Sequence, residues 1–321
     1  MKLLLEGGRT GLQSAALEAV AAAMEHDDSV TLITTRADAA AEAELPSCSF
    51  PKGRVRRVPP DATALGALCV GAAMAGLRPV LDLTHALVPH DSLRHLELLA
   101  AGLHYRTGGR LSCPVVCCVD AVKSPEFAFS PLAFTPGLKV VVPSTAHDAA
   151  ILMTEAIQDP DPVVYILDGP GGEADSHLGT GAVHLGQADI KREGTDVTVV
   201  ATGSTVAMAL AVAADLEGEG VRAEVIDMHT LAPLDIDRVL NSVSATGRLV
   251  VCEDATGVCS VANEIAATVT SVALPLLKAA PRRVTREHMP LPCAPALRDR
   301  VRVSQEDIRI AVRSVLGSYG P

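Results

Sequence analysis

Short, unbroken apolar runs such as "PVVCCV", "KVVV" and "PVVYIL" recur along this chain, separated by Ala-rich helical stretches. Runs without polar alternation are the mark of parallel strands buried on both faces, and parallel strands need crossover helices between them. The pattern predicts helix 11–25, strand 29–35, an irregular connection through "SCSFPKGRVRRVPP", helix 61–76, strand 79–83 and helix 91–105. Strands 114–119, 138–142 and 162–167 follow, the last two flanking helix 146–158. From Asp168 the stretch "DGPGGEADSHLGTGAVHLGQADIKREGTD" loses its period and turns Gly-rich and polar, as an interdomain connection does. A second alternating series then begins: strand "VTVVATG", helix 204–218, strand "AEVIDM", a turn at "TLAPLD", helix 235–245, strand "RLVVCED", helix 258–271, a strand near 282–285 and helix 304–316. The expected fold is α/β, two doubly wound domains in series: 1–172, a linker 173–195, and 196–321.

Composition narrows the function. With 48% hydrophobic and 20% charged residues over 321 positions, the chain can fill two cores. A net charge of −11 and the lack of a basic stripe argue against nucleic acid. Glu6 and two glycines interrupt the N-terminal apolar triplet before any signal sequence forms, and "ALGALCVGAAMAGL" is too short for a bilayer, so a cytoplasmic protein without membrane contact is expected. The eight cysteines lie mostly within apolar runs, which predicts reduced thiols; "CPVVCCV" reads as a buried strand and matches no zinc spacing, so no metal ligands are assigned.

No G-x-G-x-x-G, P-loop or G-x-S-x-G motif is present. "ATGSTV" places Gly203 and Ser204 at a helix start, where free amides could cradle a phosphate, but a tight βα turn needs the same residues for local reasons and is the commoner cause. "HALVPHDSLRH" gathers His85, His90 and His95 in one strand-to-helix connection, with His85 and His90 placed toward a pocket and His95 in a solvated helix start. The stretch "RRVPPDATALGALCVGAAMAGLRPVLDL" carries two acids, Asp61 and Asp82, as candidates for acid/base work.

Three ordered blocks carry a resemblance: "VGAAMAGLRPV", "TPGLKVVVPSTAHDAAILMTEAIQDPDPVVYI" and "REGTDVTVVATGSTVAMALAVAADLEGEGVRAEVIDMHTLAPLD", continued by "RLVVCEDATG" and "APRRVTREHMPLP". Together they resemble the β subunit of the decarboxylating component of 2-oxo acid dehydrogenases, pyruvate and branched-chain type, in the transketolase-like thiamine diphosphate superfamily. The resemblance implies a pyrimidine-binding domain followed by a transketolase C-terminal domain. It also implies thiamine diphosphate shared with an α-type subunit, whose Gly-Asp-Gly motif holds magnesium and diphosphate, and self-association through the β-type core. This chain lacks that motif, in keeping with such a division of labour.

The resemblance also exposes departures. The family's Glu before the Gly/Ala-rich helix falls on Ala62, with Asp61 one place earlier, where it also suits a helix N-cap. The aromatic that stacks on the pyrimidine corresponds to Val88, and the active-site His to Ser124, with Glu126 two residues on. Two functions are consistent with these residues. One is a catalytic β-type subunit whose pocket is rebuilt around Asp61, His85, His90 and Glu126, with Ala62, Val88 and Ser124 lining the cofactor; the other is a non-catalytic scaffold or regulatory homologue.

Overall fold

The computed structural model describes residues 11–35, 50, 53–59, 62–84, 90–121, 130–169, 183–292 and 294–317. The chain divides into one unit of residues 1–127 with 131–176 and another of 177–321 with 128–130.

The first unit runs α1 (Gly11–His26), β1 (Val30–Thr34), β2 (Val55–Arg57), α2 (Ala62–Met74), β3 (Arg78–Asp82), α3 (His90–His95), α4 (Leu103–Arg106), β4 (Val116–Asp120), α5 (Ser130–Ala133), β5 (Lys139–Val141), α6 (Ala146–Gln158) and β6 (Val163–Leu167). Its strands pair in the order β5-β6-β4-β3-β1-β2, all parallel. Every position of β4 and β6 is buried, which explains their unbroken apolar runs. Along α1, Leu12, Ala16, Val20 and Met24 recur every fourth residue and form its buried face. Thr145 starts α6 by accepting the Asp148 amide at 3.1 Å, and the Tyr165 hydroxyl donates to the Ala149 carbonyl at 2.6 Å, tying β6 to α6.

The second unit contains β7 (Asp189–Arg192), β8 (Val197–Ala201), α7 (Ser204–Glu217), β9 (Ala223–Asp227), β10 (Thr230–Ala232), α8 (Ile236–Thr246), β11 (Leu249–Thr256), α9 (Val261–Ala273), β12 (Arg282–Arg286), α10 (Pro295–Val301) and α11 (Gln305–Leu316). Its sheet has the order β12-β11-β8-β9-β7, parallel except for β7. Val199, Ala209, Val212, Cys252, Ile308 and Val312 pack α7 and α11 onto one face. Three helices begin at side-chain caps: Asp235, Ser260, and Ser304 in a capping box with Asp307.

Several boundaries differ from the sequence reading, each for a local reason. The single helix expected over 91–105 is three pieces. After α3, residues Leu96–Ala100 form a π-turn, closed by the Ala101 amide on the Leu96 carbonyl at 2.8 Å, and Gly102 separates it from α4. Leu96 and Ala100 are buried while Leu98 and Leu99 are exposed. The irregular connection contains β2, whose pairing of Val55 with Leu32 rests on backbone and not on an apolar run; two of its three residues are exposed arginines. Residues 189–192, read as part of the linker, pair antiparallel with β9, and β10 lies where only a turn was expected. Helix 258–271 starts later, at Val261, because Gly257 and Cys259 (φ 55°) turn the chain first.

Candidate active site

All strands of the first unit are parallel, so their carboxyl ends share one edge of the sheet. The chain leaves β1 for β2 on one side and then crosses to β3 on the other, which makes β1/β3 the topological switch point where open α/β sheets place ligands. Register aligns Thr34 with Asp82, Asp82 with Cys118, and Asp120 with Leu167. Three buried carboxylates therefore close three neighbouring strands: Asp82, Asp120 and Asp168.

Asp82 is saturated. Its Oδ1 accepts from the Thr84 amide at 3.0 Å and the Thr84 hydroxyl at 2.6 Å, and its Oδ2 from the Thr34 hydroxyl at 3.0 Å. Gln13 on α1 donates to Asp120 Oδ2 at 2.6 Å, bringing helix and strand end together. A carboxylate holding three donors anchors the chain leaving β3, and two of those donors lie on the very next turn. Asp82, one of the two acids singled out in the sequence, is thus structural. Beneath the edge, Gln13, Asp82, Thr84, Cys118, Met153 and Leu167 line a cavity of about 20 Å³, room for a water and far too small for a heterocycle.

The thiols of this region are inert. Burial drives Cys117 and Cys118 well above the usual thiol range, with Asp82 adding to the effect, and burial likewise raises Cys113 to about 11. The described cysteines are free, and no group of three His, Cys, Asp or Glu suited to a metal occurs among the described residues.

Asp61, His85, Val88, Ser124 and Glu126 lie outside the described residues, and of Ala62 and His90 only the backbone is described, opening α2 and α3. Topology still places their attachment points. The described chain before Asp61 leaves β2, that before His85 leaves β3, and that before Ser124 leaves β4, all at the carboxyl edge. His95 ends α3 half-buried. Gly203 (φ 51°) occupies the cap of α7, where Thr205 accepts the Thr202 amide at 3.0 Å, so the local-turn reading accounts for "ATGSTV". Gln13, Thr34, Thr84, Asp120 and Asp168 went unnoticed in the sequence. For all but Gln13, which lies in the first turn of α1, the available signal was a polar residue closing an apolar run.

The donor set has a definite character. Carboxylates, hydroxyls and an amide line the edge, and of the described strand ends there only β2 ends on a cation, Arg57. Such a set suits a neutral nitrogen heterocycle and leaves a diphosphate uncompensated.

Comparison with known proteins gives the geometry a context. Residues 186–308 match the transketolase C-terminal domain family. The chain is 38% identical to the acetoin:2,6-dichlorophenolindophenol oxidoreductase subunit beta of Cupriavidus necator, over 82% of this chain and 80% of that one. It is 34% identical to the pyruvate dehydrogenase E1 component subunit beta of Rickettsia bellii, over 83% and 85%. A solved structure titled as a split gene transketolase, an inactive beta4 tetramer, superposes with a TM-score of 0.77 at 21% identity, covering 97% of this chain and 99% of that chain.

Proposed function

The chain belongs to the β subunits of the transketolase-like acetoin oxidoreductases and 2-oxo acid dehydrogenases, and we propose that it serves as the β subunit of a two-component, thiamine diphosphate-dependent enzyme that decarboxylates a 2-oxo acid and passes on an acyl or ketol unit. The observation that carries this reading is identity spread over four fifths of both chains, joined to a carboxyl edge suited to a pyrimidine. Thiamine diphosphate, when bound, supplies a carbon nucleophile and an electron sink.

This chain's part is to hold and protonate the pyrimidine half. Ala62, Val88 and Ser124 would line the ring. Asp61 would stand in for the missing Glu at the ring nitrogen, and His85, His90 and Glu126 would move protons at the substrate oxygens. An α-type subunit would bring the diphosphate and magnesium, since among the described strand ends at this edge only Arg57 is a cation. Two such β chains would associate through their cores, giving a heterotetramer.

Reconstitution with an α-type subunit bearing an intact Gly-Asp-Gly motif tests the reading. Each of Asp61→Ala, His85→Ala, His90→Ala and Glu126→Ala is measured for 2-oxo acid turnover, and the chemistry requires a loss of at least about 100-fold in one or more. An active complex in which all four retain turnover places the chemistry elsewhere. A complex with no 2-oxo acid turnover makes the chain a scaffold.

A further inference from the structure

Two adjacent acids on β11 have opposite surroundings. Asp254 is neutralised by Arg302 at 2.7 Å and Arg286 at 3.5 Å, and it accepts the Val303 amide at 3.2 Å. Glu253, on the other face and 1% exposed, has far less. Its Oε2 accepts the Ala262 amide at 2.8 Å in the first turn of α9, and its Oε1 is buried without a hydrogen-bond partner. Burial pushes this carboxyl up to about 7 against the pull of the Ala262 amide, Arg286 and the Val261 amide.

The segment over Glu253 is tightly drawn. The Asn263 side-chain amide donates to the Gly257 carbonyl at 2.6 Å, the Gly257 amide donates to the Arg286 carbonyl at 3.2 Å, and Cys259 sits at φ 55°. Asn263 Oδ1 is a second buried acceptor without a donor. An ionised Glu253 therefore places a buried charge on a side chain whose Oε1 has no donor, and protonation removes that charge.

We propose that Glu253 is a proton-operated latch on the turn 257–260 and the first turn of α9: the protonated side chain holds them against β11, and its ionisation releases them. The native state keeps its proton where an unfolded carboxyl, at 4.5, has lost it. Holding is complete below that value, weakens as pH rises, and is lost through about 7. The other groups around the turn are Arg286, His288 (bonded to the Thr256 hydroxyl at 3.2 Å), Cys259 and, on the opposite face, Asp254; Glu264 in α9 is exposed.

Hydrogen exchange followed by mass spectrometry on the full chain, between about pH 5.5 and 8.5 and corrected for intrinsic rates, reads the latch. Protection over 257–262 drops by at least about tenfold across that range while the β8 amides keep theirs. Glu253→Gln, which keeps the acceptor for Ala262 and carries no charge, abolishes the step, and His288→Gln preserves it. A flat wild-type profile, a step retained in Glu253→Gln, a step lost in His288→Gln, or parallel loss at β8 overturns the proposal. Should Glu253→Gln fail to fold, the wild-type and His288→Gln profiles decide.

Discussion

Asp82 shows how a residue's surroundings override its chemistry. Removing its carboxylate leaves the Thr84 amide and two buried hydroxyls without their acceptor. Asp82→Ala should therefore lower unfolding stability by about 1–3 kcal/mol in urea denaturation, and Asp82→Asn, which keeps one acceptor oxygen, by less. An Asp82→Ala protein as stable as the parent would show that these bonds carry no weight. The sequence revealed that an acid stands here but not that three donors occupy it, because two of them, on Thr84, become neighbours only through the turn after β3, and the third, on Thr34, arrives from a strand 48 positions away. Glu253 was invisible for the same reason. Inside "RLVVCED" it reads as the polar end of a strand, and only the packing of α9 over it reveals burial.

Element by element, glycines in α2 separate packing from propensity. A Cβ at Gly66 would lie 2.2 Å from the Ser92 carbonyl oxygen, so α2 and α3 cross backbone to backbone there; a Cβ at Gly71 meets nothing within 4 Å. Gly66→Ala must push the helices apart and should cost about 1–3 kcal/mol, whereas Gly71→Ala should gain roughly 0.5–1 kcal/mol from helix propensity. Urea midpoints of the two variants check the contrast, and a neutral Gly66→Ala would show the crossing to be loose. Elements such as the amphipathic α6 and the unbroken apolar run of β6 were readable from the chain alone because burial is written into their side chains. By contrast, β2 was not, since a three-residue edge strand is held by backbone bonds that any side chain permits. The π-turn after α3 was hidden too: one extra residue in a helical turn leaves the composition and apolar spacing of the stretch unchanged.

For the whole molecule, the order of apolar runs was enough to give two α/β series, and parallel pairing then sends the connections after β2, β3 and β4 to one edge. The charge at that edge is what sequence order alone could not supply, and it argues for assembly. Three buried carboxylates stand there, in a chain of net charge −11, with Arg57 on the outer strand as the cation at its described strand ends. A diphosphate brought to the described part of this edge meets three carboxylates against one arginine, so repulsion outweighs compensation, while the pyrimidine loses nothing by it. The isolated chain should thus show no tight binding of thiamine diphosphate in titration calorimetry with magnesium present. Adding an α-type subunit with an intact diphosphate motif should restore saturable binding, and thiamine lacking the diphosphate should gain nothing from that partner. Micromolar binding of thiamine diphosphate to the chain alone would overturn the division of labour, because it would require this chain to hold the phosphates itself.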